Sequence, residues 1–278
     1  MPQITATLID HMGSDLSVVN AARVSFGKKS EWVEGHKDGH PSVTPVLATR
    51  DEKLIKYLAK HKHISPFGHA FASFHVKAPI FVARQLVKHS YLRWNEVSRR
   101  YVDDEPEFYV PDVWRGRSAD KKQGSSDEEV DVAYYDRDDG YNDWPTDANS
   151  VALEAYQEMI KLGVAPEQAR IVLPQSTMTE WYWSGSLDAF AAMCRLRCAS
   201  DTQYESRLVA DQISEKMADL FPVSWDALVK ENNQIRANEK AKAAREALRM
   251  AVLWLECDGR YDTQGMKAAL AGMEVTDD

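Results

Sequence analysis

Residues 69 to 87 change pattern in mid-course, and that change limits what the chain can build. HAFASFHVKA (69–78) reads as a β run rich in aromatics, set off upstream by the turn that Pro66 marks. From Ile80 the spacing is helical: Phe81, Val82 and Ala83 with Leu86 and Val87 bury one side. A continuing helix places Arg84 with Lys88, and Gln85 with His89, four residues apart on a neighbouring polar face. Strand-like residues thus give way to helical spacing within a few positions.

The remainder is mostly helical in pattern. A short opening strand, ITATLI, precedes a helix over Asp15 to Phe26, with Leu16, Val19 and Ala22 on one side and Ser14 or Asp15 as N-cap. Residues 27 to 44 are Gly- and Lys-rich and aperiodic, which predicts a loop, and Asp51 to His61 is helical again. Residues 103 to 150 carry DDEPEF, SSDEEVD and YYDRDDGYNDWPTD with few aliphatics, an acidic, loop-rich insertion expected to solvate the surface. Helices follow over Asn149 to Leu162, 165 to 174, Ser186 to Arg197, Thr202 to Leu220 and 231 to 256. There is no internal repeat. The organisation expected is a main domain over 1–228, holding the loop at 27–50 and the insertion, and a helical extension over 229–278.

Composition supports one globular unit: 278 residues are 44% hydrophobic and 28% charged, with eight Trp and eleven Tyr to fill a core. No basic segment leads into an apolar run at the N-terminus, and nowhere do about 18 apolar residues occur together, so the expectation is a soluble, cytoplasmic protein. Cys194, Cys198 and Cys257 are too few for a disulfide framework. A net charge of -9 argues against coating long nucleic acid, which needs many phosphate neutralisations.

Several chemistries can be weighed from residue types. Cys194 and Cys198 stand four apart in MCRLRCAS with no His nearby to act as base, which favours buried structural thiols. The eight histidines all precede residue 90, yet no helical zinc pattern occurs, so no metal is expected. Neither GxGxxG nor GxxxxGK[ST] is present, so phosphate must be met by side chains and isolated amides. Those donors concentrate in 84-RQLVKHSYLRWNEVSRRY-101: Arg84, Lys88, Arg93, Arg99 and Arg100 against the single acid Glu96, interleaved with Tyr91, Trp94 and Tyr101. A solvated face alternates Glu and Lys, whereas this composition favours an anion site, because guanidinium forks match phosphate.

The same segment resembles the signature of the flavin-dependent thymidylate synthases, R-Q-x-x-R-H-R-x-x-x-x-N-E-x-S-x-R-Y, read here as Arg84, Gln85, Lys88, His89, Ser90, Asn95, Glu96, Ser98, Arg100 and Tyr101. Further blocks stand in the family's order: 10–26, 57–85, EFYVP (107–111), ARIVLP (169–174) and LRCASDTQYE (196–205), covering roughly residues 5 to 225. The resemblance implies an α+β fold, a mixed or antiparallel sheet packed with long helices, assembled as a homotetramer with active sites at subunit interfaces. It implies methylation of dUMP to dTMP, with carbon from methylenetetrahydrofolate, reducing equivalents from NADPH and FAD between them. Such an enzyme needs no thiolate nucleophile.

Residue roles follow from the same resemblance. Arg197 aligns with the arginine set against uracil; a guanidinium stays charged, favours the N3-deprotonated pyrimidine and raises electron density at C5. The alternative for Arg197 is a surface ion pair with Asp201. Gln85, Leu86, Val87 and Lys88, with Arg84 beside them, and then Glu96, Val97, Ser98, Arg99 and Arg100 map to nucleotide contacts. Arg170 adds a phosphate or ribose contact from another subunit. Ser98 is the signature serine, a hydrogen-bonding group at the catalytic site, since a hydroxyl without a base is a poor nucleophile. For the flavin, Ser25, His63, Ser65, Lys88, His89, Ser90, Glu96 and Ser186 lie at or beside contact positions.

Departures are as informative. The arginines of the family's R-H-R are Lys88 and Ser90 here, its N-A-R-S-L loop is 186-SLDAF-190, with Ser186 and Asp188 for Asn and Arg, and its acid before the last His of P-F-x-H is Gly68. Arg93, three residues past Ser90, restores a cation toward the flavin phosphates if the helix continues. Hydroxymethylation, a cytosine nucleotide as acceptor, a flavin-binding homologue without turnover, and a single-stranded nucleic-acid module stacking bases on Tyr91, Trp94 and Tyr101 stay open at this level.

Overall fold

The computed structural model describes residues 2–231 apart from 38–39, 103, 119–124 and 137–139. The chain divides into two compact units, Met1–Val229 and Lys230–Asp278, and the helix expected over 231–256 lies outside the described residues. The strands are β1 (Thr5–Met12), β2 (Val33–Lys37), β3 (His40–Val46), β4 (Phe71–Pro79), β5 (Leu92–Glu96), β6 (Arg115–Arg117), β7 (Ser125–Glu129), β8 (Ala133–Asp136), β9 (Gly140–Asp143) and β10 (Met178–Ser186). The helices are α1 (Asp15–Arg23), α2 (Thr49–Lys60), α3 (Ile80–Leu86), α4 (Trp144–Lys161), α5 (Pro166–Ala169), α6 (Leu187–Arg197), α7 (Tyr204–Leu220) and α8 (Pro222–Trp225).

One antiparallel sheet, ordered β1-β4-β10-β5, supports the site. Its inner face is set by alternation: Ala72, Phe74, Val76 and Ala78 of β4 face Trp181 and Trp183 of β10, all buried. On that face lie α6, through Leu187, Phe190, Ala191 and Cys194, and α7, through Val209, Ala210, Ile213 and Met217. Phe190 meets Phe74 and Trp183 edge to face at centroid distances of 5.3 and 5.7 Å, a geometry that favours aromatic pairs. The mixed α+β class with an antiparallel sheet holds.

Several elements differ from their expected form. The central strand β10 has no counterpart in the sequence reading, although T-E-W-Y-W-S alternates along it. The helix expected to run on past Ile80 stops at Leu86, and Leu92–Glu96 is an edge strand. The stretch expected as a loop over 27–44 holds β2 and most of β3, paired as a hairpin that runs on to Val46, and the acidic insertion contains the two-stranded pairs β6–β7 and β8–β9. Helix α4 begins at Trp144, ahead of the expected Asn149, because Asp143 caps it by accepting from Thr146 N at 2.9 Å. The 165–174 helix is a single turn, α5, followed by a 3-10 turn over Arg170–Val172.

Two buried carboxylates lock the helices. Asp51 of α2 accepts from Arg23 Nε at 3.1 Å and Ser30 Oγ at 3.1 Å, fixing the end of α1 and the 3-10 turn Val24–Phe26 behind it. Asp15, 3% exposed, accepts from the backbone amides of Val223 and Ser224, both at 2.9 Å, and so caps α8 from a residue more than 200 positions earlier. Removing that carboxylate leaves two amides without acceptors. Asp15→Ala is expected to cost about 3 kcal/mol of stability, and Asp15→Asn less because its amide oxygen still accepts one bond; the shift in urea midpoint measures both.

Candidate active site

The basic segment is built from a helix end, a turn and an edge strand. Val87 caps α3, so Lys88 and His89 lie beyond the helix and the expected helical pairing of Arg84 with Lys88 and of Gln85 with His89 does not form. Tyr91 then takes φ 64°, a left-handed conformation costing about 1–2 kcal/mol in a non-glycine residue, and turns the chain into β5. Glycine at position 185 of β10 eases the docking of β5: a Cβ there would push the Leu92 side chain aside and lie 3.1 Å from the Tyr91 carbonyl. Arg93 accordingly sits on β5 opposite Ser184, not one helical turn beyond Ser90.

Arg197 is the last residue of α6 and points back at this segment. Its Nε donates to His89 Nε2 at 3.0 Å and its Nη2 donates to the Gln85 carbonyl at 3.4 Å. The remaining nitrogen, Nη1, has no partner among the described residues. The alternative pairing with Asp201 does not occur among the described residues, since α6 ends at Arg197 and Asp201 is not on a further turn. Burial, with the Arg197 charge second, holds the His89 imidazole down to about 4. His89 is therefore neutral near pH 7, Nε2 carries the lone pair that accepts from Arg197, and the ring proton is on Nδ1. Burial also lowers the Arg197 guanidinium from its ordinary value, yet it stays charged at neutral pH.

An amide the sequence reading did not single out completes this cluster. Gln85 Nε2 donates to Gln203 Oε1 and sits 3.5 Å from the Phe81 carbonyl. Gln203 is the N-cap position of α7 and belongs to the same LRCASDTQYE block as Arg197; its distance in sequence from residue 85 concealed it. Glu96, on β5, accepts from Thr179 Oγ1 at 2.7 Å and from Trp94 Nε1 at 3.0 Å.

Other expected residues take varied positions. Arg84, Lys88, Ser90 and Arg93 are exposed, and none of the three cations is engaged by a hydrogen bond or ion pair among the described residues. Val87 is half exposed, whereas the Leu86 side chain is fully buried in the core, so any ligand contact there must come from its backbone. Ser98 Oγ accepts from Arg100 Nε at 3.1 Å, Arg99 Nη1 donates to the Asp104 carbonyl at 2.7 Å, and Val97 N is bonded to Glu180 O at 2.9 Å. Arg170 is exposed and bonds only its own turn, Nε to Glu167 O at 3.2 Å, among the described residues. Ser25 is exposed on the 3-10 turn after α1. His63 and Ser65 are exposed after α2, where left-handed Lys62 (φ 58°) lets the rings of Tyr57, His61 and His63 gather, with Tyr57 and His63 stacked at 6.2 Å.

Ser186 is the N-cap of α6, and Asp188 is in its first turn. Asp188 Oδ1 is buried with no hydrogen-bond partner among the described residues, and a Cβ on Gly68 would lie 4.0 Å from it. Cys194 is fully buried and donates to the Ala210 carbonyl at 3.5 Å; burial pushes its thiol well above the ordinary value, and its hydrogen bond to Cys198 adds to this. It is a packing residue, not a nucleophile. Among the described residues, no group of three or more His, Cys, Asp or Glu could hold a metal ion, and no helix is long and apolar enough to cross a membrane.

Comparison with known proteins places this arrangement in context. Residues 7–223 match the family model described as thymidylate synthase complementing protein. A flavin-dependent thymidylate synthase of Thermosipho melanesiensis is 34% identical over 233 residues, 81% of this chain and 90% of that protein. One from Thermus thermophilus is 37% identical over 224 residues, 79% and 73% of the two chains. Among solved structures, the UMP/dUMP methylase PolB of Streptomyces cacaoi bound with 5-Br dUMP superposes with a TM-score of 0.64 at 32% identity, covering 82% of this chain and 95% of that one. The same methylase bound with 5-Br UMP gives a TM-score of 0.61 at 31% identity. With the guanidinium of Arg197 locked to His89 and Gln85 inside a match that spans 7–223, the chain belongs to the thymidylate synthase complementing protein family, the flavin-dependent thymidylate synthases.

Proposed function

We propose that this protein methylates dUMP to dTMP, taking the carbon from methylenetetrahydrofolate and reducing equivalents from NADPH through FAD. The observation that carries the reading is Arg197, fixed by a neutral His89 and the Gln85 carbonyl with one amino group left to meet a ligand. That group donates to the pyrimidine and stabilises the negative charge that accumulates on its carbonyl–N3 edge as C5 becomes nucleophilic. A preorganised guanidinium does this without reorganising at the moment of reaction. Ser98, with Arg100 on its hydroxyl, and Gln85, Leu86 backbone, Val87, Glu96, Val97 and Arg99 surround the nucleotide in this reading.

The residues present fit a flavin dinucleotide by their donor chemistry. Lys88 and Arg93 are exposed cations with no acid partner among the described residues, suited to phosphate, and Asp188 Oδ1 is a buried acceptor without a donor, suited to a ligand N–H or hydroxyl. Ser25, His63, Ser65, His89, Ser90 and Ser186 would add neutral hydrogen bonds. When bound, the flavin supplies the hydride transfer that reduces the one-carbon unit. Arg170, whose guanidinium bonds only its own turn among the described residues, completes a neighbouring subunit's site in a homotetramer. The catalytic domain spans 1–228, with 229–278 as an extension. A second reading, UMP as an additional acceptor, is favoured by the likeness to a solved UMP/dUMP methylase.

Incubated with FAD, NADPH, methylenetetrahydrofolate and dUMP, UMP or dCMP separately, the protein is expected to add a methyl group to dUMP by mass spectrometry. Hydroxymethylated product, or product from dCMP alone, would replace the reading. Arg197→Lys is expected to lower kcat/KM by about 10²–10³ because one fixed donor fork is lost.

The His89 imidazole is expected to titrate by NMR near pH 4, and Arg197→Met to raise that midpoint without restoring 6.5, since burial, the larger cause, remains. The unfolded chain binds this proton below 6.5 and the folded protein refuses it until about 4, so folding stability falls as pH drops through that window.

Arg93→Ala is expected to weaken FAD binding about tenfold in a fluorescence titration, and full retention would remove Arg93 from the flavin site.

A further inference from the structure

We propose that Trp94 and Thr179 are positioning residues that hold the Glu96 carboxylate as a fixed acceptor for the nucleotide or the flavin. The proposal rests on the functional reading above, and it assigns roles to two residues that lie outside the basic signature's polar positions. Strand register generates the arrangement: Trp94 pairs with Trp183 and Glu96 with Trp181 across β5 and β10, and Thr179 is two residues along β10 on the same face. Glu96 thus continues the inward row of aromatics to the rim of the sheet, where the carboxylate becomes exposed.

Each carboxylate oxygen receives one neutral donor. Thr179 Oγ1 donates to Oε1 at 2.7 Å and Trp94 Nε1 donates to Oε2 at 3.0 Å. Neither donor can drift. Thr179 is 7% exposed, and the Trp94 ring is stacked on Trp181 with centroids 4.2 Å apart and planes 19° apart, with Trp183 edge-on at 5.7 Å. No cation pairs with Glu96 among the described residues, so its charge is oriented without being neutralised. Each oxygen keeps lone-pair capacity for a ligand N–H or hydroxyl. Glu96 is the single acid between residues 84 and 101, and in that cationic segment an aimed carboxylate selects ligand donors where the arginines select ligand acceptors.

A merely structural clamp on an exposed edge-strand carboxylate would alter folding and leave ligand binding alone, so binding and stability separate the two. Trp94→Phe keeps the stacked ring and removes the N–H; Thr179→Val keeps the shape and removes the hydroxyl; Thr179→Ser restores it. FAD affinity by flavin fluorescence, dUMP affinity by calorimetry on the FAD-loaded protein, and thermal midpoints are measured for each, beside Glu96→Gln. Expected is a three- to tenfold loss of affinity, about what freeing one ordered side chain costs, for at least one of the two ligands in Trp94→Phe and Thr179→Val. KM should rise more than kcat falls, Thr179→Ser should recover the parent value, and midpoints should stay close to the parent's. Parent-like binding in both variants, or a Thr179→Ser as weak as Thr179→Val, overturns the clamp. Failure of the unsubstituted protein to bind either FAD or dUMP overturns the functional reading with it.

Discussion

Strand β10 is the constraint from which the site is built. It pairs with β4 on one side and β5 on the other, and its alternation sends Trp181 and Trp183 into the core while leaving Glu180 and Tyr182 outward. It then runs without a linker into α6, whose N-cap is Ser186, the last residue of the strand. An eleven-residue helix anchored by Leu187, Phe190, Ala191, Met193 and Cys194 carries Arg197 at a fixed distance from the sheet. The same strand sets Glu96 through its register with β5, and Gly185 admits β5 at the required closeness. A shift of one residue in β10 would turn Thr179 and both tryptophans to the wrong face and carry Arg197 away from His89.

The electrostatic design is local. The chain is acidic as a whole, yet Arg84, Lys88 and Arg93 are exposed on its basic segment, and the partly buried cation Arg197 is held by neutral acceptors. That distinction matters. A carboxylate partner would neutralise the guanidinium and weaken its pull on a ligand, whereas a neutral imidazole and a carbonyl orient it and leave its charge available. Burial keeps His89 in the neutral form across the physiological range, so its Nε2 lone pair stays available to accept from Arg197. Cys194, one turn earlier on the same helix, shows the opposite use of burial: its thiol is pushed far from ionisation and only packs.

How much of this was legible in the sequence depended on range. Local patterns located α1, α2, β4, α6 and α7 within a few residues, because each has its own apolar periodicity. The basic segment was legible as a place and not as a shape. Helical spacing at 80–87 suggested continuation, but Tyr91 in a left-handed conformation and the docking of Leu92 against Gly185 override it, and both depend on β10, nearly a hundred residues away. Gln203 and Thr179 were missed for the same reason: neither belongs to a polar cluster until the chain folds. Trp94, grouped with Tyr91 and Tyr101 as a surface aromatic, is instead stacked on Trp181, which removes it from any platform for nucleic-acid bases. The hairpin in 27–44 carried a sequence signal, the dipeptide Asp38-Gly39, that a count of Gly and Lys overlooked.

The departures from the family pattern become intelligible as a linked exchange. At 68 the pattern places an acid and at 188 an arginine; here they are Gly68 and Asp188, and the two positions are neighbours, since a Cβ on Gly68 would stand 4.0 Å from Asp188 Oδ1. An acid kept at 68 beside the partly buried Asp188 would oppose two carboxylates, which is repulsive. Glycine removes that repulsion. The loss of a cation at 188 therefore does not leave a broken ion pair behind. It leaves a single carboxylate with one buried oxygen that has no hydrogen-bond partner among the described residues. Arg84, Lys88 and Arg93 stand apart from this exchange, exposed on the segment running from α3 to β5.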